Sequence, residues 1–171
     1  APRRRAGLWD LVHAGGRGSG RGTSGPAAAT RPMFVKHPVG MVGTDSTFFG
    51  DKPSPRTYGS FPRILGQFVR DEALLSLEEA IRKMTSAPAQ LYGLHARGTV
   101  AVGKKADLNV IDFVRLNLQM PEVVADLPTG AKRIVQRANG YVATIVSGAV
   151  TLREGEETGE LPGRLVRRGQ G

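Results

Sequence analysis

The 171-residue sequence has no cysteine. That excludes a disulfide framework and any thiolate metal site, and it fits a reducing compartment, so a cytoplasmic location is expected. Histidine is scarce as well: His13, His37 and His95 are the full set, and none is spaced from another as metal ligands are. No apolar run approaches the roughly 18 residues of a membrane-spanning helix. Residues 1–31 lack the continuous apolar stretch of a secretory signal, so neither a leader nor a membrane partner is expected. No internal repeat is present.

Acidic residues are outnumbered, 15 against 24 lysines and arginines, for a net charge of +9. Its distribution argues against a nucleic-acid partner. Residues 1–31 carry +5 and residues 163–171 carry +3, leaving +1 for all of 32–162. A phosphate-binding face would concentrate charge on a folded element, whereas here the excess lies in the tails.

What is present divides the chain into four stretches. Residues 1–31 form a Gly-, Arg- and Ala-rich tail whose composition buries too little apolar surface to offset the entropy of ordering. Two origins are open for it: an out-of-frame lead-in, or a natural flexible tail. Residues 32–96 hold one apolar strand and helices. In that stretch 39–44 are apolar without alternation, as in a strand covered on both faces. A Pro/Gly loop follows over 46–60, and Pro62 reads as a first helical position. Ile64, Leu65, Phe68 and Val69 make an apolar stripe. Ser76 and Glu79 form a capping box for a helix with Leu77, Ala80, Ile81 and Met84 on one face. Pro88 ends that helix and can start another, closed by Gly93. Residues 97–162 read as β: strands at 99–102 and 108–112 around a Gly103-Lys104-Lys105 turn, and a hairpin of 142–146 and 149–153 around Ser147-Gly148. Residues 117–139 give no firm signal. Residues 163–171 are a short basic tail.

Asp45 is the leading candidate for chemistry. A carboxylate just past a buried parallel strand stands where barrel enzymes keep their reacting groups, and there it can accept and return a proton. The alternative is a turn residue or helix cap. Arg56 and Tyr58 are candidates for substrate binding: a guanidinium fork suits a carboxylate, and a phenol can donate to a carbonyl or wall a pocket. Against this, Arg56 can pair with Asp51 or cap a helix. Ser46 has no nucleophile elbow around it. His37, on the entry side of the strand, and His95, in a connection, read as surface residues, and Lys104 and Lys105 as turn residues.

Four segments in a fixed order carry a family resemblance. They are Met41-Val42-Gly43-Thr44-Asp45, the loop from Lys52 to Arg63, Leu77-Glu78-Glu79-Ala80-Ile81-Arg82-Lys83-Met84-Thr85, and residues 97–107. Together they resemble the C-terminal part of amidohydrolase-superfamily enzymes, most closely the N-acyl-D-amino-acid deacylase (D-aminoacylase) branch, from about Met33 to residue 168. The resemblance implies an α/β fold: the C-terminal remnant of a TIM barrel, with its last strand and helices, and a small β-sandwich domain. It implies a metal-dependent hydrolase of non-peptide C–N (amide) bonds acting on a small-molecule N-acyl amino acid, with Asp45 as acid/base. Zinc would be the cofactor of the full-length family, its histidine and cysteine ligands falling on earlier barrel strands. No metal ligand is expected among the residues here, so the 171 residues alone should be inactive. Two other readings stay open: a cyclic-amide hydrolase of the dihydroorotase or hydantoinase kind, and a non-catalytic α/β interaction module.

Overall fold

The computed structural model describes residues 32–44 and 56–167. The tail 1–31, Asp45 with the loop through Pro55, and the last four residues lie outside them. Helix α1 (residues 32–36) stops at His37-Pro38, where His37 N–H bonds the Phe34 carbonyl and Gly40 N–H bonds the His37 carbonyl.

The strand expected over 39–44 is not formed among the described residues. A parallel barrel strand needs neighbours to take its N–H and C=O groups. Here Val42 N–H is bonded instead to the Lys83 carbonyl, on a helix, at 3.2 Å, and Val39 is 67% exposed rather than covered. No closed barrel is seen among the described residues. The fold is mixed α/β, with helices and small antiparallel sheets.

Helix α2 (Arg56–Arg63) begins six residues before the expected start at Pro62, which lies inside it. A proline there has no N–H to give and crowds the carbonyl four residues back. Just beyond it the chain widens into a π-helical segment, Ile64–Asp71, with Glu72 N–H reaching five residues back to the Gln67 carbonyl at 2.8 Å. The stripe survives this change: Ile64, Leu65, Phe68 and Val69 are all buried, each contributing about 1.5–3 kcal/mol on a transfer scale.

Helix α3 (Leu77–Met84) starts as expected, with Ser76 Oγ accepting from Glu79 N–H at 3.2 Å. The Glu79 carboxylate accepts from Arg82 at 2.7 and 2.8 Å. The Arg82 bond, opposed by some desolvation, brings the Glu79 carboxyl down from 4.5 to about 2. A depressed carboxylate stabilises the fold above its unfolded value and loses that contribution as the pH drops toward the folded one. In thermal melts, wild type should therefore exceed Glu79→Gln near pH 5. The difference should be small for so exposed a pair and should close between about pH 4.5 and 2.

The apolar face of α3 is only half covered. Ala80 is buried and Met84 partly so, while Leu77 and Ile81 are exposed, and Lys83 takes an interior position the helical pattern did not suggest. Helix α4 (Ser86–Tyr92) carries Pro88 in its first turn and ends at Gly93.

Of the two strands expected around the Gly-Lys turn, only the second exists. Residues 99–102 form no strand, and Val100 and Val102 project into solvent. Gly98 turns the chain tightly against α4: its φ is +81°, and a Cβ there would lie 2.6 Å from Ala89 Cβ and 2.9 Å from the Thr85 carbonyl oxygen. Only glycine fits such an approach in that conformation. The segment then ties helices to sheet. Lys105 N–H bonds the Ala96 carbonyl, Arg97 pairs with Asp107, and Asp107 also accepts from Ser147 N–H at 2.8 Å.

The strands are β1 (Leu108–Ile111), β2 (Asn117–Leu118), β3 (Glu122–Val124), β4 (Arg133–Val135), β5 (Ala138–Asn139), β6 (Tyr141–Val146), β7 (Ala149–Arg153) and β8 (Glu156–Glu157). The region expected as a β-sandwich takes the form of one antiparallel sheet, β1-β6-β7-β8, and two antiparallel ribbons, β2–β5 and β3–β4. The β6–β7 hairpin matches the sequence reading, with both turn residues, Ser147 and Gly148, at positive φ. The core joins Val35, Ile64, Leu65, Phe68, Val69 and Ala80 to Leu116, which sits between β1 and β2.

Candidate functional site

A cleft of about 1040 Å3 opens between α2 and the β region. Thr57, Tyr58 and Phe61 reach it from α2, Arg70 from the π-helical segment, Gln136 from the connection between β4 and β5, and Tyr141 from β6. The α2 residues arrive there because burial of the Ile64–Val69 stripe fixes the helix against Leu116 and the chain beside it. Burial raises the Tyr141 phenol above its ordinary value.

Tyr58 is anchored to the β region. Its hydroxyl accepts from Arg133 Nη1 at 2.9 Å, while Arg133 Nε and Nη2 grip Asp126 at 2.7 and 2.6 Å. The Arg133 guanidinium holds the Asp126 carboxyl below its usual range, and Asp126 holds Arg133 above its own. With one lone pair taken by Arg133, the phenol keeps its own proton for a further acceptor. Arg56 is the first residue of α2. Asp45 lies outside the described residues, and 41–44, which lead to it, do not line the cleft. Of the three candidates, Tyr58 is the one that the described residues place at the cleft.

His37 and His95 are both exposed. The imidazole Nδ1 of His37 accepts from Val39 N–H at 3.4 Å, and the backbone carbonyl of His95 accepts from Lys104 Nζ at 2.9 Å. Among the described residues no group of three or more His, Cys, Asp or Glu could hold a metal ion, so these residues do not fit a zinc site. Nor is any helix among them long and apolar enough to cross a membrane.

Three basic residues that sequence reasoning passed over organise the surroundings. Besides Arg133, Arg70 Nη1 donates to the carbonyls of Phe113, Val114 and Leu116 at 3.0, 3.3 and 2.5 Å, fastening the π-helical segment to the chain after β1. Lys83 does the same for the segment ahead of Asp45. No local signal in the sequence marked any of the three.

The sequence pattern defining the amidohydrolase family matches residues 20–152, beginning before the Met33 at which the resemblance by motif starts. D-aminoacylase of Alcaligenes xylosoxydans xylosoxydans is 38% identical over 128 residues, covering 75% of this chain and 25% of the relative. The N-acyl-D-aspartate deacylase of the same organism is 40% identical over 137 residues, covering 80% and 26%. A dihydroorotase of Endomicrobium trichonymphae is 47% identical over 88 residues, covering 51% of this chain and 21% of that one.

Solved structures agree. A D-aminoacylase crystal structure superposes with a TM-score of 0.69 at 32% identity, over 82% of this chain and 28% of that one. An N-acyl-D-glutamate deacylase of Bordetella bronchiseptica, complexed with zinc and a phosphonate inhibitor, gives 0.57 at 33%, over 72% and 24%. Zinc thus belongs to the related longer enzymes, and this chain spans about a quarter of the length of the curated relatives it matches. On sequence and on fold together, the chain belongs to the amidohydrolase family, on its D-aminoacylase-like side.

Proposed function

We propose that these residues are the C-terminal part of an N-acyl-D-amino-acid deacylase, a hydrolase of acyclic amides. In this reading Asp45 takes a proton from the attacking water as the carbon–oxygen bond forms. It returns that proton to the amine nitrogen as the carbon–nitrogen bond breaks, releasing a carboxylate and a free D-amino acid. Arg56 would receive the substrate carboxylate, and Tyr58 would wall or donate into the pocket. One observation carries the reading: 38% and 40% identity to two D-specific deacylases over three-quarters or more of the chain. No step is assigned to zinc here, because the described residues offer no ligand set.

The test is a graft. The segment of this chain aligned with the Alcaligenes D-aminoacylase replaces its counterpart there, and release of amino acid from N-acyl-D-amino acids is followed. A folded, metal-loaded chimera that hydrolyses no such substrate would refute the reading. The purified 171-residue chain, given zinc and the same substrates, is expected to release no amino acid above buffer; zinc-dependent release by that chain would overturn the expectation of an incomplete site. The dihydroorotase match favours one second reading, a cyclic-amide hydrolase. Turnover of dihydroorotate or a hydantoin by the chimera, with N-acyl-D-amino acids untouched, would select it.

A further inference from the structure

Lys83 is 1% exposed, although it lies on a helix whose apolar residues Leu77 and Ile81 are 38% and 40% exposed. An ammonium group withdrawn from water costs several kcal/mol unless partners replace the water. Here they do. Nζ donates to the His37 carbonyl and, at 3.0 Å, to the Gly40 carbonyl, with the Glu79 carboxylate 3.6 Å away. The charged and titratable groups facing it are Glu79 and Arg82, both on its own helix; burial pushes the amine below its ordinary value and Glu79 opposes that.

The main chain of Lys83 joins in, its carbonyl accepting from Val42 N–H at 3.2 Å. The preceding residue adds another tie, Arg82 Nη2 to the Pro38 carbonyl at 3.0 Å. Two consecutive residues of α3 thus hold four backbone groups between 37 and 42. The fit is close. A Cβ on Gly40 would stand 2.9 Å from the Phe34 carbonyl oxygen, 3.2 Å from that of His37 and 3.6 Å from Lys83 Nζ. Three residues past Val42 the chain reaches Asp45, a span of at most roughly 10 Å.

We propose that Lys83 is a positioning residue: it clamps residues 37–42, the stretch of sequence that leads to Asp45, to α3. This rests on the acid/base reading of Asp45. A leucine or methionine would fill the same space without the cost of burying a charge, but it would take the ammonium donor from the Gly40 carbonyl and leave the His37 carbonyl only its bond from Gly40 N–H.

Amide hydrogen exchange and 15N relaxation on the full 171-residue chain test it, with Lys83→Met, Lys83→Arg and wild type compared. In Lys83→Met, exchange at Val42 should rise roughly tenfold or more and backbone order at 43–45 should fall, while β6 and β7 keep their protection. Lys83→Arg should restore part of both. Unchanged Val42 exchange in folded Lys83→Met would overturn the clamp. A second measurement needs no variant: the wild-type Lys83 side chain should give a solvent-protected 15Nζ resonance, and a freely exchanging one would overturn the clamp as well. Failure of the Asp45 reading appears elsewhere, as full activity of a chimera carrying Asp45→Asn.

Discussion

Asparagine at position 45 is expected to cost the D-aminoacylase chimera roughly 10²–10⁴-fold in kcat, the usual contribution of a positioned acid/base, with KM little changed. Asparagine keeps the volume and one carbonyl oxygen, so substrate can still be accommodated. What it lacks is a site that accepts a proton from water and yields it to a departing amine. Single-turnover and steady-state release of a D-amino acid from its N-acyl derivative measure the loss. An equal fall in affinity and turnover would point to disturbed binding instead. Retention of more than about a tenth of wild-type kcat would remove Asp45 from the chemistry.

Leu116→Ala should destabilise the chain by about 2–5 kcal/mol in urea denaturation, the range for emptying a well-packed core position. Leu116 is fully buried and packs in one cluster with Ile64, Leu65, Phe68 and Val69, so it links the helical layer to the strands. The cavity cannot close easily, because Arg70 pins the backbone on either side through the carbonyls of Val114 and Leu116. A control, Val123→Ala, removes methyl groups from a 63% exposed position and should stay within about 0.5 kcal/mol of wild type. If the two variants melt alike, Leu116 is not the joint between the layers.

The elements legible in the sequence are those whose hydrogen bonds and burial close locally. The Ser76 cap, the Ile64–Val69 stripe, the Gly93 stop and the β6–β7 hairpin each depend on residues a few positions apart. The expectations that did not hold concern partners distant in sequence or not present. Residues 39–44 carry the composition of a buried strand, yet Val42 bonds a helix carbonyl rather than a neighbouring strand. Residues 99–102 are an apolar stretch, but Gly98 packs the chain onto α4 and leaves Val100 and Val102 in solvent. The short strands β2 to β5 gave no signal because two or three residues are too few to show a period.

The candidate site divides in the same way. Asp45, Arg56 and Tyr58 could be named because their residue types and order resemble a family pattern. That Tyr58 is bound by Arg133, 75 positions away, follows from no local pattern. Neither does the burial of Lys83 beneath the backbone of 37–40, since a lysine in a helix ordinarily snorkels to water. By itself the sequence determined the family, the helix caps, the turns and the apolar stripe, because these depend on short-range spacing and on side-chain type. Only the tertiary structure decided which charges go inside and which backbone segments they hold. A buried ammonium or guanidinium is tolerated only where carbonyls from distant parts of the chain converge on it.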